Sequence, residues 1–346
     1  MYLSIYLCTI EVTSAQAVTI GNVSAPVEYY RMPDDPLDQS YTTYSIEVDM
    51  RTGELLRTGL SEASLENEYL FLSGYRKVLD RGDVHIEASI GDFNVYGERR
   101  GTQQTKHKDK DGKEVVKTQY YIELRYSLPM ALRVSDRKGK TLLDEYIYHL
   151  SDNQSWRSSN YSSFSDVDRY WRSNRTFKLG ELQKDRIRQG MKVISDLINN
   201  NYGFRLIKEN ERFEKIARKK HPSYAGYHNA AESIKKGFDL MDADKGLDEV
   251  RKAVQPAITF YQTTDVVCKA DDKDGIKLKH IGLYNLALLH FWLEDFDKAR
   301  MYASGIYEFD AKDKDAKRLL EEIEYVEASL SRANRVSRHQ VVIGKA

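Results

Sequence analysis

The strongest constraint on this chain lies at residues 116–134. Tyr120, Ile122, Leu124, Tyr126, Leu128, Met130, Leu132 and Val134 share one parity there, while Glu123, Arg125, Ser127 and Arg133 share the other. Strand side chains alternate between faces, so sustained period two specifies a long β-strand with one buried and one wet face. Pro129 falls on the polar parity and has no N–H to give a ladder, which marks an edge position or a bulge. A sheet with one apolar face has to be covered. The fold class for this part of the chain is therefore α+β, an antiparallel sheet covered by helices.

The neighbouring segments fit that frame. Tyr44, Ile46, Val48 and Met50 alternate with polar residues over 43–50. A helix opens at Ser61 with Leu65, Tyr69 and Leu72 at helical spacing, and Gly74 suits its C-cap. In 83–96, Val84, Ile86, Ala88 and Ile90 share one face and Phe93 and Val95 the other, so a bulge is expected at Gly91. A polar hairpin tip at 106–113 and a last strand at 141–150 complete a meander of at least four antiparallel strands. Residues 151–165 read as a loop. The helix marked by Ile187, Met191, Ile194 and Ile198 then covers the sheet and closes at 199–203. This α+β domain is expected to span 23–208.

From Glu211 onward the pattern is helical. Tyr227, Ala230, Ala231, Ile234, Phe238 and Met241 form one stripe, and Leu247, Val250, Val254, Ala257 and Ile258 a second that Pro256 kinks without ending. An acidic loop at 270–275 precedes two more helices and a terminal one carrying Ala316, Leu319, Ile323, Val326 and Leu330. An all-α domain over 209–333 with a tail at 334–346 follows.

Composition excludes several classes. Lys plus Arg and Asp plus Glu number 53 each, so no net positive charge is available for covering phosphates, and no nucleic-acid partner is expected. Two cysteines, Cys8 and Cys268, cannot build a disulfide scaffold or an all-cysteine zinc site. The apolar start and the Ala15-Gln16-Ala17 pattern read as a signal peptide over 1–17, although no Lys or Arg precedes the apolar stretch and Glu11 interrupts it. An exported chain of the periplasm or envelope is the expectation, with a buried first strand and a cytoplasmic location as the alternative. Apart from this leader no apolar run is long enough to span a bilayer, which leaves peripheral association with the envelope open.

Residues 283–311 carry a motif. Leu283, Leu286, Ala287 and His290 are followed by Ala299, Ala303 and Ala311, with Phe296 three before Ala299. This resembles one tetratricopeptide repeat, in which small residues let two helices approach and larger ones fill the space between. His290 stands where an aromatic is usual, Ala303 where Phe is usual, and the closing Pro is absent. The resemblance implies a stack of helix pairs presenting a concave face to a protein partner, with Asn285 and His290 as candidate contacts. The whole arrangement, with Tyr41-Thr-Thr-Tyr-Ser45, Gly74-Tyr75 and Asp83-Val-His-Ile86, also resembles uncharacterised cell-envelope proteins of Bacteroidota.

The chemistry-bearing motifs lead elsewhere. Three acidic runs place Gly112, Gly246 and Gly275 where a calcium loop has its sixth residue, but His107, Met241 and Ala270 stand where the first Asp belongs. His221 and His228 are two turns apart, too far to share one metal. Arg81-Gly82-Asp83 matches an adhesion tripeptide and equally suits a tight turn into a strand. No nucleophile elbow, phosphate loop, dinucleotide fingerprint or H-E-x-x-H helix occurs. The expectation is a non-enzyme without cofactor or metal, a protein-interaction adaptor acting through its helical surface. The alternative is a glycan-binding module using 154–172, where Trp156, Tyr161, Phe164, Tyr170 and Trp171 interleave with Arg157, Arg169 and Arg172. Trp156 and Arg157 are the candidate contacts there.

Overall fold

The structure, a computed structural model, describes residues 17–51, 53, 57–108, 110–267, 273–308 and 310–341. The expected leader, Ala17 excepted, and both cysteines lie outside the described residues. The chain divides into two compact units, one of Pro33–Phe204 and one joining the residues up to Met32 with Arg205–Val341. The expected boundaries at 23 and 208 are thereby corrected at both ends. The cause is a pairing between distant segments: β1 (Ile20–Arg31) runs antiparallel to β10 (Arg205–Ile216) in unbroken register from Ile20 opposite Ile216 to Arg31 opposite Arg205. The all-helical reading from Glu211 is corrected too, because β10 continues to Ile216. The charge-rich stretch 208–215 hid the strand, whose buried positions are few.

In the sheet unit, β2 (Thr43–Met50), β3 (Arg76–Lys77), β4 (Val84–Ile90), β7 (Met130–Asp136) and β8 (Thr141–Tyr148) form a five-stranded sheet in the order β3-β2-β4-β7-β8. It is mixed, not antiparallel as expected: β2 runs parallel to both β3 and β4. Between β2 and β4 lies α1 (Glu62–Tyr69), whose Ser61 cap accepts from the Ser64 N–H. A connection of this length returns the chain to the same end of the sheet, which permits parallel pairing. Gly74 lies beyond the Leu70 cap of α1, in a turn at φ +89°.

A second sheet holds β5 (Asn94–Lys108), β6 (Glu114–Ser127) and β9 (Gln154–Arg157) in the order β5-β6-β9. The single strand expected over 116–134 is therefore β6 and β7, in different sheets. The ribbon bends where Gly91 meets Pro129. Gly91 N–H donates to the Pro129 carbonyl at 2.9 Å, and a Cβ on Gly91 would lie 2.7 Å from Pro129 Cγ. Proline ends one ladder and glycine admits its ring. The bulge itself falls between Val95 and Gly97, not at Gly91.

Helix α2 (Phe164–Asn201) covers both sheets along its 38 residues. Near its start, Trp171 Nε1 donates to Glu98 of β5, and Arg100 pairs with Asp168 at 2.7 Å. Near its end, Ile187, Met191, Ile194 and Ile198 are fully buried in the same core as Ile86, Leu132 and Val134. The tripeptide Arg81-Gly82-Asp83 is consumed by a turn. Arg81 has φ +49°, and the Asp83 carboxylate accepts from Thr42 N, Thr43 N and Thr43 Oγ1 at 2.8–3.0 Å.

In the helical unit, α3 (Tyr224–Phe238), α4 (Asp248–Val267), α5 (Lys273–Trp292), α6 (Phe296–Tyr307) and α7 (Lys314–Arg332) each pack on the next, and α3 and α5 also pack on the β1–β10 ribbon. Pro256 lies within α4 without ending it. His221 acts at a helix start, Nδ1 accepting from Ser223 N at 3.1 Å. Every residue of α5 from Ile281 to Trp292 is buried, as a helix apolar on all sides must be.

The expected tail is corrected in its described part. Residues 334–341 pack into the helical unit: Tyr30 N–H donates to the Arg338 carbonyl and Gln340 N–H to that of Ala243. The Arg338 side chain is buried. Its Nε meets Glu294 at 3.2 Å, Nη2 reaches the Phe291 carbonyl at 3.2 Å, and its guanidinium lies 4.7–4.9 Å from the rings of Tyr29, Phe291 and Trp292. Removing one partner of a buried ion pair strands the other charge. Arg338→Ala is expected to lower the helical unit's unfolding free energy by about 3–5 kcal/mol, measured by urea titration.

Candidate functional site

The helical unit contains an open polar cleft of about 510 Å³ between the ribbon, α5 and α7. Asn22 of β1 and Asn210, Glu211, Arg212 and Glu214 of β10 form one wall, with Tyr284 of α5 and Asp315 and Arg318 of α7 opposite. Glu211 is the cleft's perturbed carboxylate. Burial raises its carboxyl above the usual range, opposed by the hydrogen bonds from the Arg212 N–H at 2.7 Å and Trp292 Nε1 at 3.0 Å. Both donors are neutral. Among the described residues Glu211 makes no ion pair; Arg318, whose charge acts on it, is paired with Asp315 at 3.3 Å. Tyr284 is held well above the ordinary phenol range by burial and by the charges of Glu211 and Asp315, and it stacks on His280 at 5.9 Å.

The cleft's floor is fixed by two side chains of α5. Asn285, expected to contact a partner, is fully buried. Its Oδ1 accepts from Glu214 N–H at 2.8 Å and its Nδ2 donates to the Glu214 carbonyl at 2.7 Å, so it anchors β10 to the helix. His280 lies between Glu214, 3.1 Å from Nδ1, and Asp313, 2.8 Å from Nε2. Asp313 also caps α7, accepting from Ala316 N–H at 2.8 Å. The hydrogen bond to Glu214 raises the His280 imidazolium to about 9; burial opposes this, while the charge of Glu214 and the bond to Asp313 reinforce it.

His290, the other expected contact on α5, is also interior. It is 4% exposed, stacks on Tyr302 at 5.5 Å and lies 3.3 Å from Asp295. Burial lowers its pKa against the pull of Asp295. Both side chains are buried and so turned away from solvent, which corrects Asn285 and His290 as surface contacts.

In the sheet unit, alternation separates the other two candidates. Trp156, opposite Leu124, faces α2 and stacks on Trp171 at 5.9 Å with the Lys178 ammonium 5.3 Å from its ring. Arg157, opposite Glu123, lies on the outer face with its guanidinium 3.5 Å from the centre of the Tyr121 ring, bonded to Asn160 at 2.7 Å and to Gln103. The aromatic–arginine run 154–172 is thus not one surface. Sequence reading missed Glu211, Tyr284 and Arg318. The available signal was the gap between Gly203 and Pro222, which shows no helical stripe yet was read as helix from Glu211.

No family model matches this chain, and no curated protein matches it. Among solved structures it is similar to a PDZ domain protein from Parabacteroides distasonis, at 9% identity over 92% of this chain and 66% of that one, with a TM-score of 0.21. The chain therefore spans slightly less than two thirds of that protein. No helix among the described residues is long and apolar enough to cross a membrane.

Two outcomes test the anchoring roles. Asn285→Ala leaves both backbone groups of Glu214 without their partner and is expected to cost about 2–4 kcal/mol, read by urea unfolding. His280 has a folded pKa above its unfolded value, so its stabilisation is full below about pH 6.5 and fades as pH rises through about 9. The helical unit should lose on the order of 2–3 kcal/mol between pH 7 and 10, and His280→Gln should flatten that profile in thermal melts followed by circular dichroism.

Proposed function

We propose that this chain is a non-catalytic protein-interaction adaptor that engages its partner through the helical unit, with the ribbon–α5–α7 cleft as the contact. The successive packing of α3 to α7 and the small residues Ala287, Ala299 and Ala303 at buried positions support a tetratricopeptide-like stack. The contact residues differ from those the motif suggests, since Asn285 and His290 are replaced by Glu211, Asp315 and Arg318. The Ala15-Gln16-Ala17 pattern is what supports an envelope location.

The observation that carries this reading is Glu211, a desolvated carboxylate at an open cleft with only neutral donors. A Lys or Arg side chain from a partner segment supplies the missing charge. Crosslinking in the native host identifies the partner, and titration of the purified pair measures its affinity. Glu211→Gln keeps shape and hydrogen bonding but removes the charge, and is expected to weaken binding at least about tenfold, or 1.4 kcal/mol. Unchanged affinity in Glu211→Gln and Asp315→Asn alike would sink the proposal.

A further inference from the structure

The sheet unit has a larger groove, about 910 Å³, over β5 and β6 beside the turn after β8. Its floor is bare strand, because Gly97 contributes no side chain and the one above it belongs to Arg125, whose Cβ lies 3.9 Å from where a Gly97 Cβ would be. Tyr96, thrown outward by the bulge, forms one wall. Its hydroxyl bridges Ser127 at 2.8 Å and the Leu150 carbonyl at 3.2 Å, which leaves the ring half exposed. The 149–153 turn, which Tyr96 meets at Leu150, forms the adjoining wall and is held by the bond from His149 N–H to Asp152 at 2.7 Å.

What distinguishes this groove is which of its polar groups are already engaged. Arg99 and Glu123 are paired with each other at 2.8 Å, and Glu98 is held by Arg175 at 3.0 Å. The Arg125 guanidinium, the Ser151 hydroxyl and the Asn153 amide make no side-chain hydrogen bond or ion pair among the described residues. One unengaged cationic fork, a hydroxyl, an amide and two exposed apolar surfaces, Tyr96 and Leu150, therefore border one open volume of ordinary ligand-site size.

We infer that this groove binds a carboxylate-bearing saccharide. Arg125 offers the planar, two-pronged donor set that matches a carboxylate. Ser151 and Asn153 both donate and accept, as sugar hydroxyls require. The Tyr96 ring presents a flat apolar face to the C–H side of a pyranose. Arg99 is already neutralised by Glu123, which leaves Arg125 as the cation offered to a ligand, so a ligand with one negative charge among many hydroxyls fits where a nucleic acid does not. The site is separate from the aromatic run at 154–172, since Trp156 lies against Trp171 on the inner face of the same sheet.

Calorimetric titration of the full chain with galacturonate oligosaccharides, with neutral galactose oligosaccharides of equal length and with inorganic phosphate tests the inference. The acidic sugar should bind at least tenfold more tightly than either of the others. Arg125→Gln should abolish that preference, Asn153→Ala should weaken binding several-fold, and the Leu150 methyl resonances should shift on titration. Equal affinity for acidic and neutral sugars, binding unaffected by Arg125→Gln, tighter binding of phosphate, or no binding at millimolar sugar would each overturn it. Arg125 is exposed, so its replacement leaves the core intact, and an unchanged circular dichroism melt checks this.

Discussion

The helical unit depends on the backbone of one strand residue being held from the side. Glu214 sits in a strand whose ladder to β1 runs along one flank, and the Asn285 amide takes both its N–H and its C=O. The same residue's carboxylate meets His280, which in turn reaches the cap of α7. A ribbon of only two strands is marginal by itself. Here a buried amide and an imidazolium between two carboxylates fasten it to the helices. The cleft follows from this arrangement, because its ribbon wall stands where Asn285 and His280 place it, with Tyr284 beside them on α5.

Legibility in the sequence followed the alternation of apolar residues and failed where charge concealed it. The apolar parity of 120–134 holds for Ile122, Leu124, Met130, Leu132 and Val134, which are all buried, whereas Tyr120 is half-buried and Ser127, on the polar parity, is fully buried. What parity could not convey is that Pro129 opposite Gly91 bends the ribbon from one sheet into another, since side-chain facing survives the bend. The parallel placement of β2 was equally hidden, because period two is the same in either direction. In β10 only Phe213 and Ile216 are buried, among Lys, Glu and Arg, so no stripe announced the strand.

The candidate contacts failed for a related reason. Asn285 and His290 are polar residues on a helix with a repeat motif, and a motif says which positions pack without saying what else will cover them. Trp156 and Arg157 are neighbours in sequence and so point to opposite faces of β9. Glu211 was unreadable because its significance comes from desolvation, which no local pattern encodes. Arg125 was plain as a polar-face residue, but its lack of a partner depends on Tyr96 and the 149–153 turn framing the space around it.

The interleaving of the two units has a consequence for biosynthesis. Translation delivers Ile20–Arg31 early, yet its complement is not made until the entire intervening unit has emerged. The nascent chain must therefore carry an unsatisfied strand edge past a newly folding sheet with edges of its own, and such edges are what promote wrong pairing. The alternating Ser24, Pro26 and Glu28 along β1 put a residue without an N–H and a charge into that waiting strand. This composition makes it a poor template for any stray partner until Arg205–Ile216 arrives.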